Sequence, residues 1–413
     1  MKPLFILCFA ILAIPAYAQE LAPRLPAGLP PTELAQVWLQ QDPGVQEATA
    51  ELQAAEHTAG MLRASPNEWN LKLTSQRRSY TTGPDSNEWA AQLERTLRLP
   101  NKRSLDRRLA TAETELAEAK YGEAMHEAAR DLVDLYTQWA GAHRAHELMQ
   151  EQITFGEENL RVVRLRQRAG DASTLEVNAV EADTAGIRGR LSAAVSEERK
   201  ALAALQIRFP GANVNALSLA DPESIVEAEQ VWKTRILSTS DPLKIAEVQL
   251  AQAELAASRA RANRLPDPTL GVYTASEVYS NEKIVGVNVT IPIPGRYRNA
   301  QLGRTLAHVE MARAARDRQQ RLMEIEVADA YADATGNFER WQLAEESAAK
   351  TRESARLTQR AFSLGEVDLQ TLLLSRRQAV EAIDSALDAR VSALRSYYRL
   401  LVDAHLVWGL EHS

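Results

Sequence analysis

Two histidines, two carboxylates and two glycines are the residues whose types and spacing could do more than fill a fold. His143 and His146 stand three apart on a helical stretch, a spacing from which two imidazoles can ligate one metal ion. His146 also falls on an apolar seam, and 7 His in 413 residues is no enrichment, so a packed or solvated pair is the better reading and no metal site is expected. Glu366 and Asp368 follow Gly365 at the start of a helical stretch. Carboxylates there either cap the helix and complement its dipole or, repeated around an axis by other copies, form cation-selecting rings. Gly170 and Gly365 each end a long helical run, where glycine supplies the left-handed conformation of a tight reversal. No Gly-rich phosphate loop and no nucleophile motif with supporting context is present, so an enzyme is not expected, nor a cofactor. The single Cys, Cys8, excludes a disulfide framework and any thiolate-held zinc or iron–sulfur site. A formal charge of -7 with scattered basic residues makes nucleic acid a poor partner.

Residues 1–18 read as an export signal. Lys2 is a short positive region, an apolar stretch runs from Leu4 to Ile14, and Ala16-Tyr17-Ala18 is a small-x-small cleavage site. The stretch is shorter than the roughly 20 apolar residues of a spanning helix. Cleavage after Ala18 would remove Lys2 and Cys8, leaving no thiol and a net charge one unit more negative. Cys8 sits in mid-stretch after Phe-Ile-Leu, not at a lipoprotein cleavage position, so the chain is expected not to be lipidated. No later stretch could span a membrane as a helix, which leaves β-strands for any insertion.

The rest of the chain is a duplication. Asp42-Pro43, Ser65-Pro66, Leu97-Arg98-Leu99-Pro100 and Arg168-Ala169-Gly170-Asp171 recur in order as Asp241-Pro242, Leu265-Pro266-Asp267-Pro268, Ile291-Pro292-Ile293-Pro294 and Ser363-Leu364-Gly365-Glu366, each roughly 195 residues on. The second proline of each half is followed by a basic, polar helix start. The expected organisation is a signal peptide (1–18), a first repeat (19–209), an equatorial segment between repeats (210–240), a second repeat (241–405) and a C-terminal tail (406–413). Each repeat reads helix, strand, strand, long helix, turn, helix.

The helices show coiled-coil spacing. Val45, Ala48, Leu52, Ala55, Ala59 and Leu62 alternate steps of three and four, as do Leu105, Leu109, Ala112, Leu116 and Ala119. The phase slips near Tyr121-Gly122 and resumes from Ala128 to Val163. Residues 103–169 and 298–364 are proline-free and would each make a helix about 100 Å long. The expected strands are 69–80, 88–99, 269–279 and 284–293. Val285, Val287, Val289 and Ile291 share one parity opposite Ile284, Gly286, Asn288 and Thr290. Trp69, Leu71 and Leu73 alternate with Asn70, Lys72 and Thr74, and Trp89, Ala91, Leu93, Leu97 and Leu99 with Glu88, Gln92, Glu94 and Arg98. Arg95 interrupts that apolar face, and 269–279 is the weakest strand, with Tyr273 and Tyr279 at one parity. Strands of about ten residues with one apolar parity match an outer-membrane barrel, so Val285, Val287, Val289 and Ile291 are expected to face lipid. Four strands cannot close a barrel, which calls for several copies of the chain. The fold class is therefore mainly α with a membrane β-barrel contribution, four barrel strands per subunit. The alternative is a periplasmic coiled-coil structural or adaptor protein without a pore, its hairpins soluble.

These duplicated, proline-ended strand pairs, long helices and Gly turns resemble the TolC family of outer membrane efflux proteins over nearly all of the chain after residue 18. Asn263-Arg264-Leu265-Pro266-Asp267-Pro268-Thr269-Leu270-Gly271 and, more specifically, Ile284 through Gly295 resemble the cobalt-zinc-cadmium efflux branch. The resemblance implies a homotrimer with a twelve-stranded barrel in outer-membrane lipid and a helical tunnel in the periplasm. It implies a passive exit duct of a tripartite system, with a periplasmic adaptor and an inner-membrane pump of the resistance-nodulation-division type, and heavy-metal cations as substrate. Gly170, Asp171, Gly365 and Glu366 would then lie at the periplasmic tip and meet the adaptor. The family's entrance carboxylates match Thr371 and Leu374, neither of them acidic, which leaves Glu366 and Asp368 as the candidate gate.

Overall fold

The computed structural model describes residues 25–212 and 219–410. The expected export signal and Cys8 lie outside them. Local chemistry sets the first helices. Asp42 accepts from the Gly44 N–H at 2.8 Å and Pro43 occupies the first turn, opening a 22-residue helix after a short one. The described elements are α1 (Thr32–Gln40), α2 (Pro43–Ala64), β1 (Trp69–Arg78), β2 (Ser86–Thr96), α3 (Pro100–Arg168), α4 (Thr174–Arg208), α5 (Glu229–Thr239), α6 (Asp241–Ala262), β3 (Thr269–Glu277), β4 (Glu282–Thr290), α7 (Arg296–Ser363) and α8 (Leu369–Asp403). The halves match element for element. The long helices have 69 and 68 residues, and the returning helices have 35 each. The fold is mainly helical with one small antiparallel sheet, as the sequence implies.

Some boundaries differ from expectation. The short helix α5 falls inside the 210–240 segment and is the counterpart of α1. The second hairpin turns at 278–281, because Glu277 pairs with Glu282 and extends β4 backwards; Val278, Tyr279 and Ser280 all take positive φ. Ile291 lies just past β4, since β3 begins opposite Thr290 and Pro292 and Pro294 have no N–H to give a ladder. Leu97 and Leu99 likewise fall outside β2, where Pro100 starts α3. Residues 404–410, after Asp403, pack into the core. Leu406, Val407, Trp408 and Leu410 are buried, and the Trp408 indole donates to the Pro30 carbonyl at 3.0 Å.

The strands form one sheet in the order β1-β2-β3-β4, so the two repeats join side by side through β2 and β3. α3 and α7 run away from it. Near the sheet they pack on α2 and α6, and farther out on α4 and α8. The main core lies along α3, where Leu132, Val133, Tyr136 and Trp139 meet Leu394, Tyr397, Leu401 and Trp408. The phase slip near Gly122 marks the change of partners, and α3 continues unbroken through it. Among the described residues no helix is long and apolar enough to cross a membrane.

Candidate functional site: the sheet face, the hairpin tips and the charged junction

Register places the apolar residues of all four strands on one face. Leu71 pairs with Leu93, Leu93 with Val272, and Val272 with Val287. The next rung is Leu73, Ala91, Thr274 and Val285, and the one on the helix side is Trp69, Arg95, Leu270 and Val289. The face is bare, with Val285 84% exposed and Val287 78%. Register thus corrects the view of β3, since Leu270 and Val272 carry its apolar side and Tyr273 faces the other way. Tyr273 lies across Gly286, where an added Cβ would come within 2.6 Å of the ring. The opposite face is polar, with Asn70, Glu94, Gly271 and Asn288 in one rung. Arg95 does not stand alone on the apolar face. Its guanidinium sits 5.5 Å from the Trp69 ring centroid and its Nε donates to the Asn67 carbonyl at 3.0 Å, at the margin next to the helices. β1 and β4 each leave one edge unpaired within the chain.

Both hairpin tips close with the same motif. The Gly170 N–H donates to Gln167 at 3.0 Å and the Asp171 N–H to Arg166 at 2.8 Å; Gly365 and Glu366 bond Phe362 and Ala361 in the same way. The glycines have φ of +80° and +78°, and a Cβ at either would meet nothing within 4 Å, so backbone conformation and not space requires them. Asp171 accepts from Arg166 Nε at 3.0 Å, and that guanidinium lies 5.7 Å from the Phe362 ring of the other hairpin. Leu160, Val163, Val177 and Val180 pack against Leu369, Leu372 and Leu373, holding the two tips side by side. Asp368 is the N-cap of α8: its carboxylate accepts from the Thr371 N–H at 2.8 Å, which holds its pKa below the usual carboxylate range. Glu366, Thr371 and Leu374 are exposed.

The histidine pair is a carboxylate clamp. His143 Nδ1 and His146 Nδ1 lie 2.6 Å from the two oxygens of Glu198 on α4, and the His143 ring stacks on Trp139. Burial works against the Glu198 charge, but the two imidazole hydrogen bonds outweigh it and hold its pKa down. Among the described residues no group of three or more His, Cys, Asp or Glu is placed to hold a metal ion.

A charged junction beneath the sheet gave no sequence signal, because its members come from distant segments. Asp403 accepts from Arg130 Nε at 2.7 Å and meets His126 Nε2 at 3.3 Å. Burial disfavours the His126 cation, yet the Asp403 and Glu123 contacts win and push its pKa up to about 9. His405, tilted against His126 at 5.3 Å, goes the other way, down to about 4, through burial and the neighbouring His126 cation. Asp241 is pushed up to about 6 by burial and by Glu123. Its position is a consequence of capping. In the first repeat Asp42 caps α2, but in the second Ser240 takes the cap and Asp241 enters the helix.

No curated relative matches the sequence. Among solved structures, the Campylobacter jejuni CmeC outer membrane channel is 15% identical, with a TM-score of 0.70 over 92% of this chain and 85% of that one. The Vibrio cholerae outer membrane protein VceC is 15% identical, with a TM-score of 0.73 over 90% and 95%. The Neisseria gonorrhoeae MtrE outer membrane channel is 18% identical, with a TM-score of 0.65 over 92% and 89%. These likenesses are of fold. The sequence itself matches the outer membrane efflux protein family over residues 34–207 and 233–402, which take in the strands, long helices and tips of both repeats. The chain belongs to the outer membrane efflux protein family, whose members are transport ducts and not enzymes.

Proposed function

We propose that the protein is the outer-membrane exit duct of a tripartite efflux system, working as a homotrimer with a periplasmic adaptor and an inner-membrane resistance-nodulation-division pump. The observation that carries this reading is the four-stranded sheet, bare and apolar on one face, polar on the other and unpaired at both edges, at the end of helices about 100 Å long. β1 of one copy would pair with β4 of the next and remove every edge. Val285, Val287 and Val289 would face lipid, Ile291 the lipid boundary, and Asn288 the lumen. Residues 1–18 would be the cleaved export signal, with no acyl anchor, and the repeats would run from 19–209 and 241–405 around the 210–240 segment. Gly170, Asp171, Gly365 and Glu366 would dock the adaptor, and Glu366 and Asp368 would ring the entrance. The resemblance of residues 263–271 and 284–295 to the heavy-metal branch supports metal cations as substrate, passed without a binding site in this chain.

Cell fractionation tests the reading. The protein should remain with outer membranes through alkaline carbonate washing and migrate as a trimer until heated. A chain that washes off as a soluble protein would be a periplasmic scaffold without a pore, and the duct would be abandoned.

A further inference from the structure

Basic residues gather where α2 and α6 end and where α3 and α7 begin, and the fold takes up several of their charges. Arg98 donates to the Leu62 and Arg63 carbonyls at the end of α2, and Arg298 to the Asn263 carbonyl at the end of α6. Arg98 and Arg259 share the Asp106 carboxylate at 2.7 Å each, and Lys102 pairs with Asp267 at 3.0 Å. These cations are accounted for by the fold. Arg261, Arg264 and Arg296 are not: all three are exposed, and among the described residues none has an ion pair.

The three arginines line one cleft of about 780 Å³, between the end of α6 and the start of α7, and no acidic residue lines it. In the first repeat Lys102, at the start of α3, is instead buried against Asp267. The cleft lies where the apolar sheet face ends. Leu265 and Tyr297 beside it are exposed, and Ile293, just past β4, is 93% exposed. A surface that turns from bare aliphatic to cationic within a few residues matches the boundary between acyl chains and phosphates.

We infer that this cleft binds the phosphate of an anionic phospholipid in the periplasmic leaflet, with Arg261, Arg264 and Arg296 on the headgroup and Leu265, Ile293 and Tyr297 along the upper acyl chains. The inference rests on the sheet being inserted in the outer membrane as proposed above. Three exposed cations around one cleft would favour an anionic headgroup, and the guanidinium forks suit phosphate oxygens.

The test uses the purified full chain in a neutral detergent, offered phosphatidylglycerol or phosphatidylcholine, with retained lipid counted by native mass spectrometry. The wild type should keep phosphatidylglycerol about tenfold better. Arg264→Gln with Arg296→Gln should bring the two lipids to parity, and Arg264→Lys with Arg296→Lys should retain most of the preference. Equal retention by the wild type, or an unchanged preference in the glutamine variant, overturns the inference. So does displacement of phosphatidylglycerol by excess inorganic phosphate, which would make this a free-anion site. Loss of the trimer in the glutamine variant would assign the cleft to a neighbouring copy and also overturn it. Failure of the duct reading looks different: the wild type would then not insert into liposomes and float with them. A wild type that inserts but shows no lipid preference sinks this inference alone.

Discussion

The Asp241 carboxylate fills the space that a side chain on Gly122 would need: a Cβ there would stand 2.6 Å from Asp241 Oδ1. Here the start of α6 packs against α3. Gly122→Ala should therefore overpack the junction and cost about 1 to 3 kcal/mol per subunit. Gly60 on α2 has nothing within 4 Å of its virtual Cβ, so Gly60→Ala should be neutral or gain up to about 1 kcal/mol from helix propensity. Thermal unfolding of the two variants in detergent checks the contrast, and equal melting temperatures would contradict it.

The junction also gives the protein a pH signature. His126, with its pKa raised to about 9, contributes stability that is fully present below its ordinary value of 6.5 and is lost as pH rises through 9. The contribution is on the order of 3 kcal/mol. Wild-type melting temperature should fall between pH 6.5 and 9, and His126→Gln should flatten that fall while lowering stability at pH 6.5.

Asp241 behaves in the opposite sense to an ordinary paired carboxylate. Its raised pKa, about 6, means that the folded state prefers the proton, so its ionisation costs stability as pH rises from 3.8 through 6. Asp241→Asn should therefore raise the melting temperature at pH 8 and have little effect near pH 4. His405, lowered to about 4, loses stability as pH falls from 6.5, which partly offsets the wild-type gain from Asp241. The variant comparison at fixed pH isolates Asp241.

The register predicts a parity test of the sheet. Val287→Arg would place a charge on the apolar face and should cost about 2 to 4 kcal/mol per subunit, seen as lost trimer in outer-membrane fractions. Asn288→Arg, across from Gly271 and Glu94 on the polar face, should assemble. Equal yields of both would mean that this face does not meet lipid.

The entrance is tested by separating charge from capping. Asp368→Asn keeps an efficient N-cap on α8, so with Glu366→Gln it removes charge at little structural cost. If the carboxylates ring a pore, the double variant should lose cation preference and divalent-ion block in planar bilayers. Asp368→Ala instead costs about 1 kcal/mol of helix stability through the lost Thr371 hydrogen bond. Unchanged selectivity in the double variant would leave Asp368 a cap only.

Docking at the tips predicts a crosslinking pattern. Cysteines at Asp171 or Glu366 should crosslink to the adaptor in cells, and cysteines at Thr82 or Ser280, at the far ends of the strand pairs, should not. The reverse pattern would invert the proposed topology.

The sequence by itself determined the duplication, the long helices, the two Gly reversals and the strand pairs. Each of these rests on local chemistry: a proline without a donor, a glycine at positive φ, or a repeat of two or of three and four. Tertiary structure decided what depends on partners far away in the chain. Pairing across β2 and β3 chose Leu270 and Val272 over Tyr273 for the apolar face, because a strand's parity has meaning only against its neighbours. Packing put Arg95 on Trp69 at the sheet margin and joined His143 and His146 through Glu198, a residue one hairpin turn away. The same Asp-Pro pair became a cap at Asp42 and, at Asp241, a carboxyl inside the helix with a raised pKa. A single residue's shift in helix start and the approach of Gly122, His405 and Glu123 set that difference, and none of them is visible in the dipeptide.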